Sequence, residues 1–455
     1  MFTYMNGVVV LRLRRSGPRS RLAGVLAAVV AGATVVSLTA VPAPASPASS
    51  GSLGCALPIN LLCAPNTVVL SGTQLEANRL KLLAGDPTLH TSLNNLLAQA
   101  KPELTQGPWT VMDKTEVPPS GDKHDYMSLA PYYWPTEPQT PDNPWGCPYV
   151  NKDGQVSPIS KSIPDKPEWI QAYNAIYQLS LAWYYTGDIS YAQRAELDIR
   201  TWFLNAATKM NPNLNFAQGI PCQVDGRGIG IIDFGYSFTE VLDAVSLLGD
   251  GAPGWKSGDA SGMKSWAGQF LTWLRTSSNG ATEAAEKNNH GSFYDMLSAA
   301  TALFAGQKSL AKSIVQQTET KRIAVQIQAD GEQPLELTRT RSWHYFNFNL
   351  VALTRLADIG QHVGVNLWKY TAPDGGSLTA AVNYLIPAAT QGQSVWTFPE
   401  LDFHQFAAVD IMHAAADAGD KLAKAALPKL QIEPGGDLYP IRPAAEQLDN
   451  VQTTP

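Results

Sequence analysis

The runs Lys287-Asn288-Asn289-His290-Gly291-Ser292 and, further on, Arg339-Thr340-Arg341-Ser342-Trp343-His344-Tyr345 carry amide, imidazole, guanidinium and phenol groups. That set suits withdrawal of a proton from a carbon beside a carboxylate better than it suits hydrolysis. Such a proton is weakly acidic because the carboxylate is already negative. Its removal needs groups that neutralise or hydrogen-bond the carboxylate as charge moves onto it. Asn289 and His290 fall at the start of an expected helix, where free backbone N–H groups and the helix dipole favour an anion. Arg339 offers a fork that grips a carboxylate through two hydrogen bonds. Tyr345 offers a phenol that acts as base if nearby cations lower its pKa, and that then returns the proton to the departing oxygen. Each residue also has a plainer use: Asn288 and Asn289 as helix caps, His290 as a core histidine, Tyr345 as one of 16 tyrosines. Asn289, His290, Arg339 and Tyr345 together make the catalytic expectation, and the scheme requires no metal or organic cofactor.

Helices must position these groups. Trp169, Tyr173, Ile176, Tyr177 and Trp183 recur at helical spacing, and Gly187 stands where that helix should stop. A second helix follows, with Ala195, Ile199, Trp202 and Phe203 on one face, so the two read as an antiparallel hairpin. Similar patterns cover Leu75 to Leu83, Leu89 to Ala100, Phe238 to Leu248, Met263 to Leu274 and His290 to Phe304. They continue over Ser309 to Gln317, Tyr345 to Ile359, Leu378 to Leu385, Phe406 to Ala418 and Lys421 to Ala426. About a dozen helices in hairpin pairs predict an all-α chain in which a ring of pairs encloses a central groove. No fixed sequence period supports a solenoid.

Two long loops interrupt the helices, Asp113 to Pro167 and Asn211 to Tyr236, and loops of that length in a compact domain are usually functional. The first holds His124-Asp125-Tyr126 and Pro131-Tyr132-Tyr133-Trp134-Pro135, whose aromatics either stack on sugar rings or plug the ring of helices. His124, Tyr132, Tyr133, Trp134, Arg227 and His344 are the candidate substrate-binding residues, with Arg227 alternatively pairing with Asp225. Glu400, Asp402 and His404 read as a structural polar network.

The 455 residues, 44% apolar and 16% charged, can bury a large core. A net charge of -6 with no basic stripe beyond the N-terminal arginines argues against a nucleic-acid partner. Arg12, Arg14, Arg15, Arg19 and Arg21 precede an apolar run from Leu22 to Val41, then Ala43-Pro44-Ala45. This predicts a signal peptide over 1–45, a secreted or periplasmic product, and no stable membrane insertion after cleavage. Residues 46–66 read as a linker with a small disulfide loop, 67–430 as the catalytic domain and 431–455 as a C-terminal tail. Four cysteines in an oxidising compartment predict disulfides. Proximity favours Cys55 with Cys63, which leaves Cys147 with Cys222 as a staple between the loops, and no zinc-ligand spacing accompanies them.

Asn-Asn-His followed by a small residue and an aromatic, then Arg-Thr-x-Ser-x-x-Tyr entering a helix, resembles the alginate lyase superfamily of helical-toroid polysaccharide lyases. The Tyr132-Tyr133-Trp134-Pro135 loop and Gly228-Ile229-Gly230-Ile231-Ile232-Asp233 are similar to that family too, and the resemblance covers Asp113 to Ala418. It implies an incomplete (α/α) toroid of helical hairpins with long loops over a central cleft. It also implies β-elimination on an anionic polysaccharide, a uronan, with Asn289, His290 and Arg339 neutralising the carboxylate and Tyr345 as base and acid. One departure stands out: the best-known alginate lyases follow Asn-His with Ser-Tyr-Trp, whereas this chain has Gly291-Ser292-Phe293-Tyr294. The separation of arginine and tyrosine differs as well, which keeps glucuronan beside polymannuronate as substrate. Two rivals remain: a toroidal glycoside hydrolase using Asp233 with Glu336 or Glu400, and a non-catalytic polysaccharide-binding protein.

Overall fold

A computed structural model describes residues 64–249 and 251–449. The expected signal peptide and the expected Cys55–Cys63 pair lie outside the described residues. Helices α1 (Gly72–Leu83) and α2 (Pro87–Glu103) form the first pair. Ser71 and Asp86 start them by accepting the backbone N–H of Gln74 and Leu89. The predicted hairpin from Trp169 onward is α3 (Asp165–Thr186) and α4 (Ile189–Ile199). Gly187 closes α3 at φ 73°, the left-handed region that a side chain disfavours, and Asp188 caps α4. A π-helical turn, Arg200–Leu204, extends α4 and buries Trp202 and Phe203.

The remaining helices run α5 (Gly235–Gly249), α6 (Ser257–Thr276), α7 (Ser278–Ala285), α8 (Asn289–Phe304) and α9 (Lys308–Thr318). After the short α10 (Ala324–Gln326) and α11 (Pro334–Leu337) come α12 (Ser342–Val363), α13 (Leu378–Gln391), α14 (Val409–Asp417) and α15 (Lys421–Ala426). Phe406 to Ala418, expected as one helix, is a 3-10 turn over Gln405–Ala408 that runs into α14.

In contact order, α3, α5, α8, α12 and α14 line the inside of the ring, while α4, α9, α13 and α15 pack behind α3, α8, α12 and α14. The inner helices are buried nearly all round, as α8 shows from Gly291 to Ala302. Aromatic packing fixes the α3–α5 side of this all-α toroid. Trp169 stacks on Phe234 with ring centroids 4.1 Å apart, and Trp202, Phe203, Phe238 and Phe270 are buried with them. No helix among the described residues is long and apolar enough to cross a membrane.

The two long loops carry the short strands. In the first, β1 (Met127–Leu129), β2 (Tyr133–Pro135) and β3 (Tyr149–Asn151) form, and β2 pairs antiparallel with β3. In the second, β4 (Phe216–Gly219) pairs in parallel with β1. Cys147 and Cys222 are joined, so the loops are stapled as expected. The segment after Leu430, expected as a tail, packs inside the ring. Leu438, Tyr439, Ile441, Ala444 and Ala445 are buried, and Tyr185 of α3 donates to the Ile441 carbonyl.

Candidate active site

A cleft of about 490 Å³ opens where the β2–β3 hairpin and the 211–236 loop meet the starts of α8 and α12. Asn289, His290, Arg339 and Tyr345 all line it, as do Tyr132, Tyr133, Arg227 and His344. His124 and Trp134 do not line it. The His124 ring bonds the Lys209 carbonyl through Nδ1. Trp134 donates Nε1–H to the Gln155 carbonyl at 3.0 Å and carries the Lys152 ammonium on its ring at 4.5 Å, so both residues brace loops.

Asn288 is the cap of α8, its side chain accepting the His290 N–H at 3.1 Å. Asn289 is fully buried, and its backbone N–H and Nδ2 each donate to a Glu336 oxygen at 2.7 Å. The expectation of free N–H groups awaiting an anion is therefore corrected: the protein's own Glu336 carboxylate takes that place. Burial pushes the Glu336 carboxyl above its ordinary pKa. Asn289 Oδ1 has no hydrogen-bond partner among the described residues.

His290 bonds Glu283 Oε1 through Nδ1 at 2.9 Å. Burial alone would lower the His290 pKa, but the Glu283 carboxylate outweighs it and holds the imidazole above its usual value. Gly291, where the sequence departs from the usual family pattern, has a steric cause. A Cβ there would lie 2.2 Å from both Arg322 Nη1 and the Glu286 carbonyl oxygen. Arg322 uses that position to donate to the Glu286 and Ala284 carbonyls and to Asp295, which ties the Asn288–His290 turn to the helix behind it.

Tyr345 falls in the first turn of α12 and Arg339 in the loop before it. The Arg339 guanidinium lies 3.5 Å from the centroid of the Tyr345 ring. Its Nε and Nη2 bond Asp153 at 3.2 and 2.5 Å, so the bidentate edge expected to grip substrate is already occupied. Burial works against the Arg339 charge and the Asp153 bond more than restores it, so its pKa rises. Gly154, at φ 74°, lets the Asp153 turn approach Thr340 closely enough for the Thr340 hydroxyl to donate to the Asp153 carbonyl at 2.9 Å.

The Tyr345 hydroxyl sits 2.6 Å from that of Tyr132. Its pKa is raised well above the ordinary value, chiefly by burial and then by Tyr132, with Arg339 opposing. The expected depression by neighbouring cations is thus reversed, because the sequence displays the cations and hides the desolvation.

Arg227 pairs with Gln218, through the carbonyl at 2.9 Å and Oε1 at 3.1 Å, and lies over the Tyr133 ring at 5.1 Å. Lys161, Lys166 and Arg341 add positive charge to the walls. Asp153 and Glu283 carry no motif in the sequence, and Glu336 stands out there only as a possible hydrolytic carboxylate rather than as the partner of Asn289. Of these only Glu283, close before His290 in the chain, offered a hint by proximity.

A profile of the family described as alginate lyase matches residues 110–396. This chain belongs to the alginate lyase family. A solved alginate lyase from Bacteroides ovatus is 36% identical, with a TM-score of 0.78, covering 84% of this chain and 100% of its own. Alginate lyase A1-III from Sphingomonas species A1 is 15% identical, TM-score 0.52, over 82% of this chain and 97% of its own. A histidine-to-alanine variant of A1-III complexed with tetrasaccharide gives 15% and 0.52, over 81% and 93%. Those two matches show the shared fold alone. No curated protein matches the chain.

The lyase, a polysaccharide lyase by family, leaves little room for a hydrolytic carboxylate pair. Asp233 accepts from Tyr126, Ser128, Lys166 and Gln218. Glu336 is bound by Asn289, and Glu400 accepts the Trp343 and His344 N–H groups at the start of α12. Neither glutamate is among the residues that line the cleft. Glu400 thus belongs to the structural network expected for that region.

Proposed function

We propose that this lyase is secreted and cleaves a uronate polymer by β-elimination, with the substrate carboxylate bound between His290, Asn289 and Arg339 and with Tyr345 moving the proton. The observation that carries this reading is the Tyr345 hydroxyl, 2.6 Å from Tyr132, with the Arg339 guanidinium on its ring, in one cleft with His290.

His290, whose pKa Glu283 holds above the ordinary value, supplies positive charge to the carboxylate in its protonated form as the enolate forms. Asn289 has one amide hydrogen committed to Glu336 and a second to offer. Arg339 acts through its field and its remaining Nη1 edge. In the resting cleft burial keeps Tyr345 protonated, and Tyr132 is the group positioned to relay that proton outward. The phenolate then takes the hydrogen from C5. The electron pair forms the C4–C5 double bond, the C4–O bond breaks, and the same tyrosine returns the proton to the leaving oxygen. One residue on one face serves a syn elimination, which fits β-mannuronate and β-glucuronate. Export is supported by the basic and apolar N-terminal run from Arg12 to Ala45.

The test is to incubate the protein separately with polymannuronate, polyguluronate and glucuronan and follow ultraviolet absorbance from the conjugated product. Absorbance should rise with polymannuronate or glucuronan. New reducing ends without absorbance would overturn elimination.

A further inference from the structure

The C-terminal segment reaches the cleft from inside the ring. Arg442 pairs with Asp410 of α14 at 2.8 Å, and Arg355 of α12 donates to the Ala445 carbonyl at 2.9 Å. Beyond these anchors Asp449, only 1% exposed, emerges among the residues that line the cleft. Its carboxylate oxygens lie 2.9 and 3.0 Å from His344 Nδ1, and the Gln447 amide donates to one of them. His344 precedes Tyr345 in the first turn of α12. Its ring stands edge-on to the Tyr345 ring with centroids 4.8 Å apart, and lies parallel to Phe348. Among the described residues nothing bonds His344 Nε2, while the ring faces the cleft.

We propose that Asp449 is a positioning residue for substrate recognition: it fixes His344 with its hydrogen on Nδ1, so that Nε2 presents an acceptor to a sugar hydroxyl of the uronate bound beside Tyr345. This rests on the uronan reading above. A carboxylate in its ionised form can only accept, so Nδ1 carries the hydrogen, and a neutral ring then has its acceptor on Nε2. Burial works against the Asp449 charge, but the His344 hydrogen bond and the nearby Arg341 guanidinium favour the ionised carboxylate, and its pKa lies below the ordinary value. The parallel Phe348 ring holds the plane of the imidazole, and the Asp449 bond selects which nitrogen turns inward. A fixed acceptor discriminates among hydroxyl positions, whereas an imidazole free to change tautomer would accept or donate indifferently.

The protein has seven histidines, few enough for long-range proton–nitrogen spectra of nitrogen-15-histidine-labelled protein to assign each ring's tautomer. In the wild type His344 should show the Nδ1–H form. Asp449→Ala should lose it and raise KM for the preferred uronan about tenfold, the worth of one directed hydrogen bond, with kcat nearly unchanged. Asp449→Asn keeps the shape and can accept through its carbonyl, so it should restore both the tautomer and KM. An unchanged His344 tautomer in Asp449→Ala, or a fall in kcat with KM constant, would overturn the proposal. The spectra decide the Asp449–His344 bond even if no uronan yields unsaturated product, an outcome that would instead remove the elimination reading.

Discussion

Replacing Tyr345 by phenylalanine isolates one oxygen atom. The ring that carries the Arg339 guanidinium at 3.5 Å remains, as do Phe348 and His344 around it. What disappears is the hydroxyl 2.6 Å from Tyr132 and, with it, both proton transfers of the proposed reaction. A positioned acid or base contributes about 10²–10⁴ in rate, which corresponds to roughly 3–5 kcal/mol of barrier. Because one oxygen serves both transfers, the loss should fall at the upper end. The structural cost is one hydrogen bond, about 1 kcal/mol, small against the stability of a domain this size. The variant should therefore melt near the wild type and bind uronan with nearly unchanged affinity by calorimetry. Turnover, followed by ultraviolet absorbance, should drop about a thousandfold or more. If Tyr345→Phe kept more than about a tenth of wild-type kcat, base and acid would have to be sought elsewhere in the cleft.

Two further outcomes follow from the same geometry. In the Tyr345→Phe background, binding can be measured without turnover. Because the His290 pKa is raised, the imidazolium persists below that value, and uronan affinity should decline as pH rises through it. Adding Glu283→Gln removes the anion that raises it and leaves the burial that lowers it, so the decline should begin at lower pH, with binding about tenfold weaker near neutrality. Superimposable pH profiles for the two proteins would refute the role given to Glu283. Gly291→Ala places a Cβ 2.2 Å from Arg322 Nη1 and the Glu286 carbonyl. Urea unfolding should show a loss of about 1–3 kcal/mol, and kcat/KM should fall because the Asn288–His290 turn must move. A neutral result would mean that the turn has room the structure does not show.

The sequence made the helices legible because their apolar residues recur at a period that neighbours alone reveal: α3, α8 and α12 start and end close to where spacing and glycines placed them. Helix α7 was missed, since Ser278–Ala285 is short and holds few large apolar residues. Asn289, His290, Arg339 and Tyr345, which the structure brings to one cleft, could be picked out as candidates because their side-chain chemistry is itself the clue. Their partners could not. Asp153, just after β3, meets Arg339 186 residues further along the chain, and Asp449 meets His344 across 105 residues, so only the folded chain brings them together. The segment from Leu438 to Asp449 looked like a tail because prolines and irregular spacing give it no period, and its burial depends on a hollow that exists only once the helices have assembled. Tyr132 was marked for sugar stacking. That it meets Tyr345 hydroxyl to hydroxyl is a matter of register in the hairpin.

The two glutamates at the starts of α8 and α12 have a mechanical meaning. Glu336 lies in the connection leading into α12, yet it clasps the first turn of α8; Glu400, from the connection after α13, clasps the first turn of α12. These two inner helices are thus fastened by chain that comes after them, and the fastening of α8 shares a short stretch of backbone with Arg339 and Tyr345. The side of the cleft that carries Asn289, Arg339 and Tyr345 is therefore held by carboxylates that lie later in the chain than the helix starts they clasp.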